Sequence, residues 1–211
     1  MIRSLKEIRN ANCKDCGLCK TAEFICLPGY GSDQSKIMFI GEAPGHREDA
    51  SGRPFVGKAG EILDILFDEL GMERKKVYIT NIIHCRPPEN RTPNMEEIRA
   101  CRKYLLKEIK IIKPKIIVTL GNIALKGLFD TNTLSVVRER GRILNFEGIK
   151  VIPTYHPAVV LRKKYYMKLI YQDLKEGLEQ AQNMAKQGQF PLQKGPQKEY
   201  IGIISKLDRK H

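Results

Sequence analysis

Apolar, β-branched residues gather in four short runs: KIMFIG at 36–41, KVYITNII at 76–83, KIIVTL at 115–120 and KVIPT at 150–154. Runs of this length and composition predict buried strands. The segments between them carry a helical period instead. Ile62, Leu63, Leu66, Phe67 and Leu70 share one helix face, and Gly71 supplies a stop. Thr92-Pro93 opens a second helix with Glu96 and Glu97 in its first turn; Ile98, Cys101, Leu105, Ile109 and Ile112 form its apolar stripe, and Pro114 closes it. Gly121-Asn122 starts a short helix toward Leu128, and a last long helix covers about residues 165 to 186.

Strands alternating with helices at this spacing predict a three-layer α/β/α domain, built on a mostly parallel four-stranded sheet, over residues 1–186. In such folds ligands bind outside the carboxyl ends of the strands. Gly41-Glu42 follows the first strand, Asn81 sits late in the second, Gly121-Asn122 follows the third and His156 follows the fourth. The polar and glycine-rich positions therefore gather at one rim. From residue 187 to 211 the chain turns Gln-, Gly- and Pro-rich and basic, the composition of a loosely ordered tail, with an apolar patch at 200–204.

Charge changes this picture. Among 211 residues, 37 Lys and Arg oppose 24 Asp and Glu, a net charge of +13. An excess of this size favours a polyanionic partner such as nucleic acid over a merely solvated surface. No apolar run reaches the roughly 18 residues of a membrane span, and the N-terminus lacks the apolar core of a signal peptide. The expected location is the cytoplasm, where thiols stay reduced, so the six cysteines read as ligands or core residues rather than disulfides. The many Lys, Ile and Glu residues lean toward a thermophilic source.

Two stretches carry candidate chemistry. The loop GEAPGHREDASGRPFVGKAG, 41–60, has the glycines of a phosphate-binding loop, yet Glu42, Glu48 and Asp49 would repel a phosphate and Phe55 stands where one needs bare backbone. Cys13 and Cys16 form a C-x-x-C, while Cys85 leaves a strand and Cys101 lies on the stripe of the next helix. Four such thiolates can cage a tetrahedral zinc or a [4Fe–4S] cluster, whereas Cys101 alone would be an ordinary small core residue. Cys16 and Cys19 form a second, overlapping pair and Cys26 is one more candidate; spacing chooses neither among them nor between zinc and iron–sulfur.

With these pieces in order, the chain resembles the iron–sulfur (family four) uracil-DNA glycosylases of archaea and thermophilic bacteria. The resemblance rests on the loop at 41–60, NIIHCRPPENRTP at 81–93, VTLGNIAL at 118–125, PTYHPAVVLR at 153–162 and the cysteine pattern. It implies a monofunctional enzyme that hydrolyses the N-glycosidic bond of uracil in DNA, the first step of base excision repair. It implies Cys13, Cys16, Cys85 and Cys101 as ligands of a structural [4Fe–4S] cluster, with no counterpart for Cys19 and Cys26. A flipped base needs a flat slot and hydrogen bonds to its edge. Phe55 would stack on uracil, Asn81 would read its O4/N3–H edge, and His156 would donate to O2 as charge develops. Gly41, Glu42 and Ala43 would line the pocket, and Glu48 would stand near uracil C5 against thymine's methyl group. Ala43 occupies the place where the best-studied uracil glycosylases carry a water-orienting aspartate. Catalysis should therefore lean on a stabilised uracil anion, with Glu42 the candidate to position water.

The segment HPAVVLRKK offers a wedge, Val160 or Leu161, and phosphate contacts from Arg162, Lys163 and Lys164; Arg86 and Arg91 are further contacts. The expected partner is uracil-containing DNA, met by a monomer, and residues 200–204 could dock a sliding clamp. Two rivals compete: a relative with another base preference or a DNA-crosslinking histidine, and a nucleic-acid-binding protein whose cluster senses redox state without excising a base.

Overall fold

The computed structural model describes residues 9–187. Its sheet has six strands: β1 Tyr30–Gly31, β2 Ile37–Gly41, β3 Tyr78–Asn81, β4 Ile116–Leu120, β5 Leu144–Phe146 and β6 Ile149–Thr154. They run in the order β1-β3-β2-β4-β6-β5. The four central strands are mutually parallel, as the strand–helix alternation predicts. The two edge strands pair antiparallel and enlarge the expected four-stranded sheet to six. Two residues in β1 and three in β5 are too few to display an alternating pattern.

The helices are α1 His46–Ser51, α2 Lys58–Glu69, α3 Met95–Ile112, α4 Asn122–Phe129, α5 Val136–Glu139 and α6 Tyr166–Gln187. Because strand side chains alternate faces, Met38 and Ile40 of β2 pack with Ile98, Leu105 and Leu128 of α3 and α4. Phe39, between them, packs with Leu63 and Phe67 of α2 and Ile170 of α6 on the other face. Helices thus cover both faces, giving the three expected layers. The helix expected to open at Thr92-Pro93 begins two residues later, capped by Asn94: its side chain accepts the Glu97 N–H (2.8 Å), while the Glu97 carboxylate accepts the Asn94 N–H (2.9 Å). This reciprocal box is the local reason α3 starts there.

The chain moves from β2 to β3 on one side, then crosses back to β4 on the other. Such a reversal opens a crevice at the strands' carboxyl ends. The tail expected over 187–211 and its patch at 200–204 lie, apart from Gln187, outside the described residues. Among the described residues no helix is long and apolar enough to cross a membrane.

Candidate active site

Beyond the ends of β2 and β3 the backbone goes on pairing, with Ile82 N–H on Gly41 O (2.9 Å) and Ile83 N–H on Glu42 O (3.0 Å). This carries Glu42 and Ala43 over the rim, where they line a cleft of about 610 Å³ together with Glu48, Phe55, Asn81 and His156. Gly41 lies just beneath: a Cβ there would stand 2.5 Å from both Asn81 Oδ1 and the Phe55 ring. Only glycine leaves room for both side chains.

Phe55 adopts a left-handed backbone, φ 55°, a conformation that costs a bulky residue on the order of 1–3 kcal/mol unless its surroundings impose it. Here they do. Arg74 Nη2 donates to the carbonyls of Pro54 (3.1 Å) and Phe55 (2.7 Å), and Arg74 Nη1 pairs with Asp64 (2.6 Å). Glu48 Oε1 accepts the N–H groups of Val56 (2.9 Å) and Gly57 (2.8 Å) at the start of α2. Glu48 therefore braces the loop from inside the cleft. The Phe55 and His156 rings face each other at 5.8 Å, inclined by 31°.

Asn81 is 3% exposed, and its Oδ1 is a buried acceptor without a hydrogen-bond partner among the described residues. Such an atom costs free energy until a donor arrives. His156 caps the 3-10 helix Pro157–Leu161, its Nδ1 accepting the Ala158 N–H at 3.2 Å. That bond places the neutral ring's proton on Nε2. Burial pulls the His156 pKa down to about 4, against a small opposing pull from Glu48. The ring is thus neutral near pH 7. Burial also raises the Glu42 carboxyl above its ordinary range.

The cysteines gather at the end of the fold beside α3. Cys13, Cys85 and Cys101 are buried and Cys16 half-buried. Two backbone amides already point at sulfur: Cys26 N–H at Cys85 Sγ (3.2 Å) and His84 N–H at Cys101 Sγ (3.3 Å). Burial first, and then the neighbouring cysteines, raise the thiols, Cys85 to about 12. Asp15 clamps the N-terminal pair to α3 by accepting from Cys13 Sγ (3.1 Å) and the Tyr104 hydroxyl (3.0 Å) and by pairing with Lys103 (2.7 Å). Among the described residues, no three His, Cys, Asp or Glu side chains come together as a single metal ion would require.

The DNA-facing candidates separate. Leu161, 45% exposed, and Arg162 line the cleft, while Val160 is 2% exposed and packs into the core between α2 and α6. Lys163 and Lys164 are exposed but outside the cleft lining. Arg91 lines the cleft with its guanidinium held by both Glu97 oxygens (2.9 and 2.6 Å). Arg86 stands aside, donating to Asn90 (2.8 Å) and facing the His46 ring. Sequence reasoning missed Lys58, which lines the cleft, and Arg74. It also missed the anchor under His156, where Thr154 donates to Asp173 (2.7 Å) and Asp173 pairs with Arg140 (2.9 Å). These partners are distant in sequence, and no local pattern marks them.

At the carboxyl ends of the parallel sheet, a glycine-floored cleft brings together an aromatic wall, a buried amide oxygen awaiting a donor and a neutral histidine, the make-up of a pocket for a flat polar ring in an α/β enzyme. In agreement, the model of the uracil DNA glycosylase superfamily matches residues 28–175, and the chain belongs to that superfamily. The type-4 uracil-DNA glycosylase of Sulfurisphaera tokodaii is 45% identical over 171 residues, spanning 76% of this chain and 78% of that protein. That of Archaeoglobus fulgidus is 40% identical over 172 residues (78% and 86%), and that of Thermotoga maritima 44% over 163 (76% and 85%). Within the superfamily the chain falls in the type-4 group.

Proposed function

We propose that this uracil-DNA glycosylase reads its base with Asn81, stacks it on Phe55 and expels it as an anion held by His156. The observation that carries this reading is the buried, unpartnered Asn81 Oδ1 beside the Phe55 ring. The N3–H of uracil would supply the missing donor and the Asn81 amide would donate to O4. Cytosine offers no N3–H and presents an amine at position 4, so it would leave Oδ1 unpaired.

As the bond between C1′ and N1 lengthens, negative charge spreads onto uracil O2. The Nε2–H of a neutral His156 donates to it without itself needing to lose a proton, a form of electrostatic stabilisation. The sugar gathers positive charge, and a water adds at C1′ to leave an abasic site in an uncut strand. Ala43 offers no carboxylate for that water. Glu42, half-buried beside it, orients the water, and its proton passes to solvent. Glu48 supports the pocket through the Phe55 loop and presents its carboxylate toward C5. Leu161, rather than Val160, fills the space the flipped nucleotide leaves, and Arg162 holds phosphate with Arg91, Lys163, Lys164 and Arg86 farther out.

Cys13, Cys16, Cys85 and Cys101 would hold the [4Fe–4S] cluster that type-4 membership implies. The donor set supports it: buried thiols that resist ionisation alone would be offset by a cationic iron core, and two amides already face their sulfurs. The cluster would supply cross-linking of the N-terminal segment to α3, not chemistry on the base. The protein is expected to act as a monomer. Docking of residues 200–204 on a sliding clamp predicts that truncation after residue 187 abolishes clamp binding and spares uracil release.

The test is an abasic-site assay. A labelled oligonucleotide with one uracil, treated with the protein and then hot alkali, should break at uracil and remain whole with thymine in its place. No break from a protein with its iron intact would favour the redox-sensing DNA binder.

A further inference from the structure

Tyr165 is a large aromatic that the fold does not need. It is 54% exposed, yet its ring is not free to wander: it stacks on Tyr166 at 4.3 Å and 30°. Tyr166 in turn meets Tyr155 edge-on at 4.6 Å and 78°. Tyr155 lies over the Arg140 guanidinium at 5.6 Å and is bonded directly to His156. A ladder of three rings in contact therefore runs from the residue next to the pocket's histidine to the surface. Its outer face emerges directly after Arg162, Lys163 and Lys164, all exposed, and four residues after Leu161 on the cleft wall.

A pre-ordered aromatic face amid cations, beside a cleft, has the make-up of a base-stacking platform. Every base has a π-face, so such a platform accepts any sequence, while the flanking cations track the backbone. Fixing the ring in advance by stacking on Tyr166 lowers the ordering cost on binding. A ring that only covered core would be buried, whereas Tyr165 is more exposed than the inner two rings of the ladder, which are half-buried.

We propose that Tyr165 stacks on an unpaired base of the strand flanking the extracted nucleotide, so that this face prefers single-stranded or locally opened DNA. The proposal rests on the reading of the cleft as a uracil pocket. It assigns Tyr165 a binding role outside that pocket, with no part in bond breaking.

The test compares wild type, Tyr165→Ala and Tyr165→Phe by fluorescence anisotropy on a labelled, uracil-free single strand and on the same sequence as a duplex. Uracil release from a uracil-containing duplex is measured in parallel. Loss of one stacked base predicts single-strand binding weaker by about 5- to 150-fold in Tyr165→Ala, with a much smaller change on the duplex and an unaltered salt slope. Tyr165→Phe, which keeps the ring, should bind as wild type does. Equal single-strand binding by Tyr165→Ala overturns the platform while uracil release by the wild type leaves the pocket reading standing. An equal loss in Tyr165→Phe also overturns it, because the ring would not be the contact. A wild type that neither binds DNA nor releases uracil overturns both readings together.

Discussion

Phe55 and His156 come from loops on different strands, yet their rings stand 5.8 Å apart across the mouth of one cleft. Phe55 is held by Arg74 from outside the cleft and by Glu48 from within it, and His156 by the Ala158 N–H of its own segment. The geometry that would grip a planar base thus rests on named supports, and this makes it testable.

Arg74 never reaches the cleft, but it holds two carbonyls of the strained Phe55 segment. Replacing it with alanine should lower stability by about 1–3 kcal/mol through lost charge-assisted hydrogen bonds. It should also slow uracil release by roughly tenfold to a hundredfold as the stacking face drifts. Thermal unfolding and single-turnover kinetics read the two effects; unchanged kinetics would detach Arg74 from the site.

The pH profile follows from the neutral His156. Its pKa is depressed to about 4 by burial, so the ring does not titrate near the ordinary 6.5. Release should then be flat from about pH 5.5 to 8 as far as this residue is concerned. Glu42, whose carboxyl is raised above its usual range by burial, would add an acid limb: activity would fall as pH drops and that group gains a proton. Glu42→Gln should remove the limb. An inflection near pH 6.5 that vanishes in His156→Gln would contradict the neutral-ring account.

Val160 and Leu161 are neighbours with opposite fates. Val160→Ala should cost roughly 2 kcal/mol of stability, the worth of two buried methyl groups and a small cavity. Leu161→Ala should leave unfolding unchanged and slow release from duplex DNA more than from a single strand, where no stack must be opened. Equal effects of the two changes would mean that Leu161 is not the wedge.

Ligand choice among the cysteines is read by iron content and visible absorbance. Cys101→Ala should lose both and unfold at lower temperature, because the cross-link to α3 goes with it. Cys19→Ala should retain both. Iron lost from Cys19→Ala and kept in Cys13→Ala would move the N-terminal pair one step along the chain, to Cys16 and Cys19.

Much of this site was legible because the strand-to-rim rule depends only on where β-branched runs stop. Gly41 and Asn81 close β2 and β3, His156 follows β6, and all three stand at the expected end of the sheet. Cys101 was legible through the helical period of α3, on whose buried face it lies. What escaped was carried by contacts distant in sequence. Arg74 meets Phe55 only after α2 has turned back, and Asp173 reaches Thr154 from the last helix. The choice between Val160 and Leu161 escaped because a 3-10 helix of five residues has no face long enough to read. Strands β1 and β5 escaped through shortness alone.

The most direct measurement is single-turnover release of uracil from one oligonucleotide by wild type and His156→Ala, both with full iron content. Wild type should release uracil and leave thymine and cytosine untouched, and the variant should be slower by about 10²–10³, the scale of losing one transition-state donor. A variant as fast as wild type, its cluster intact, would remove His156 from the chemistry and with it the account of how this cleft breaks the bond.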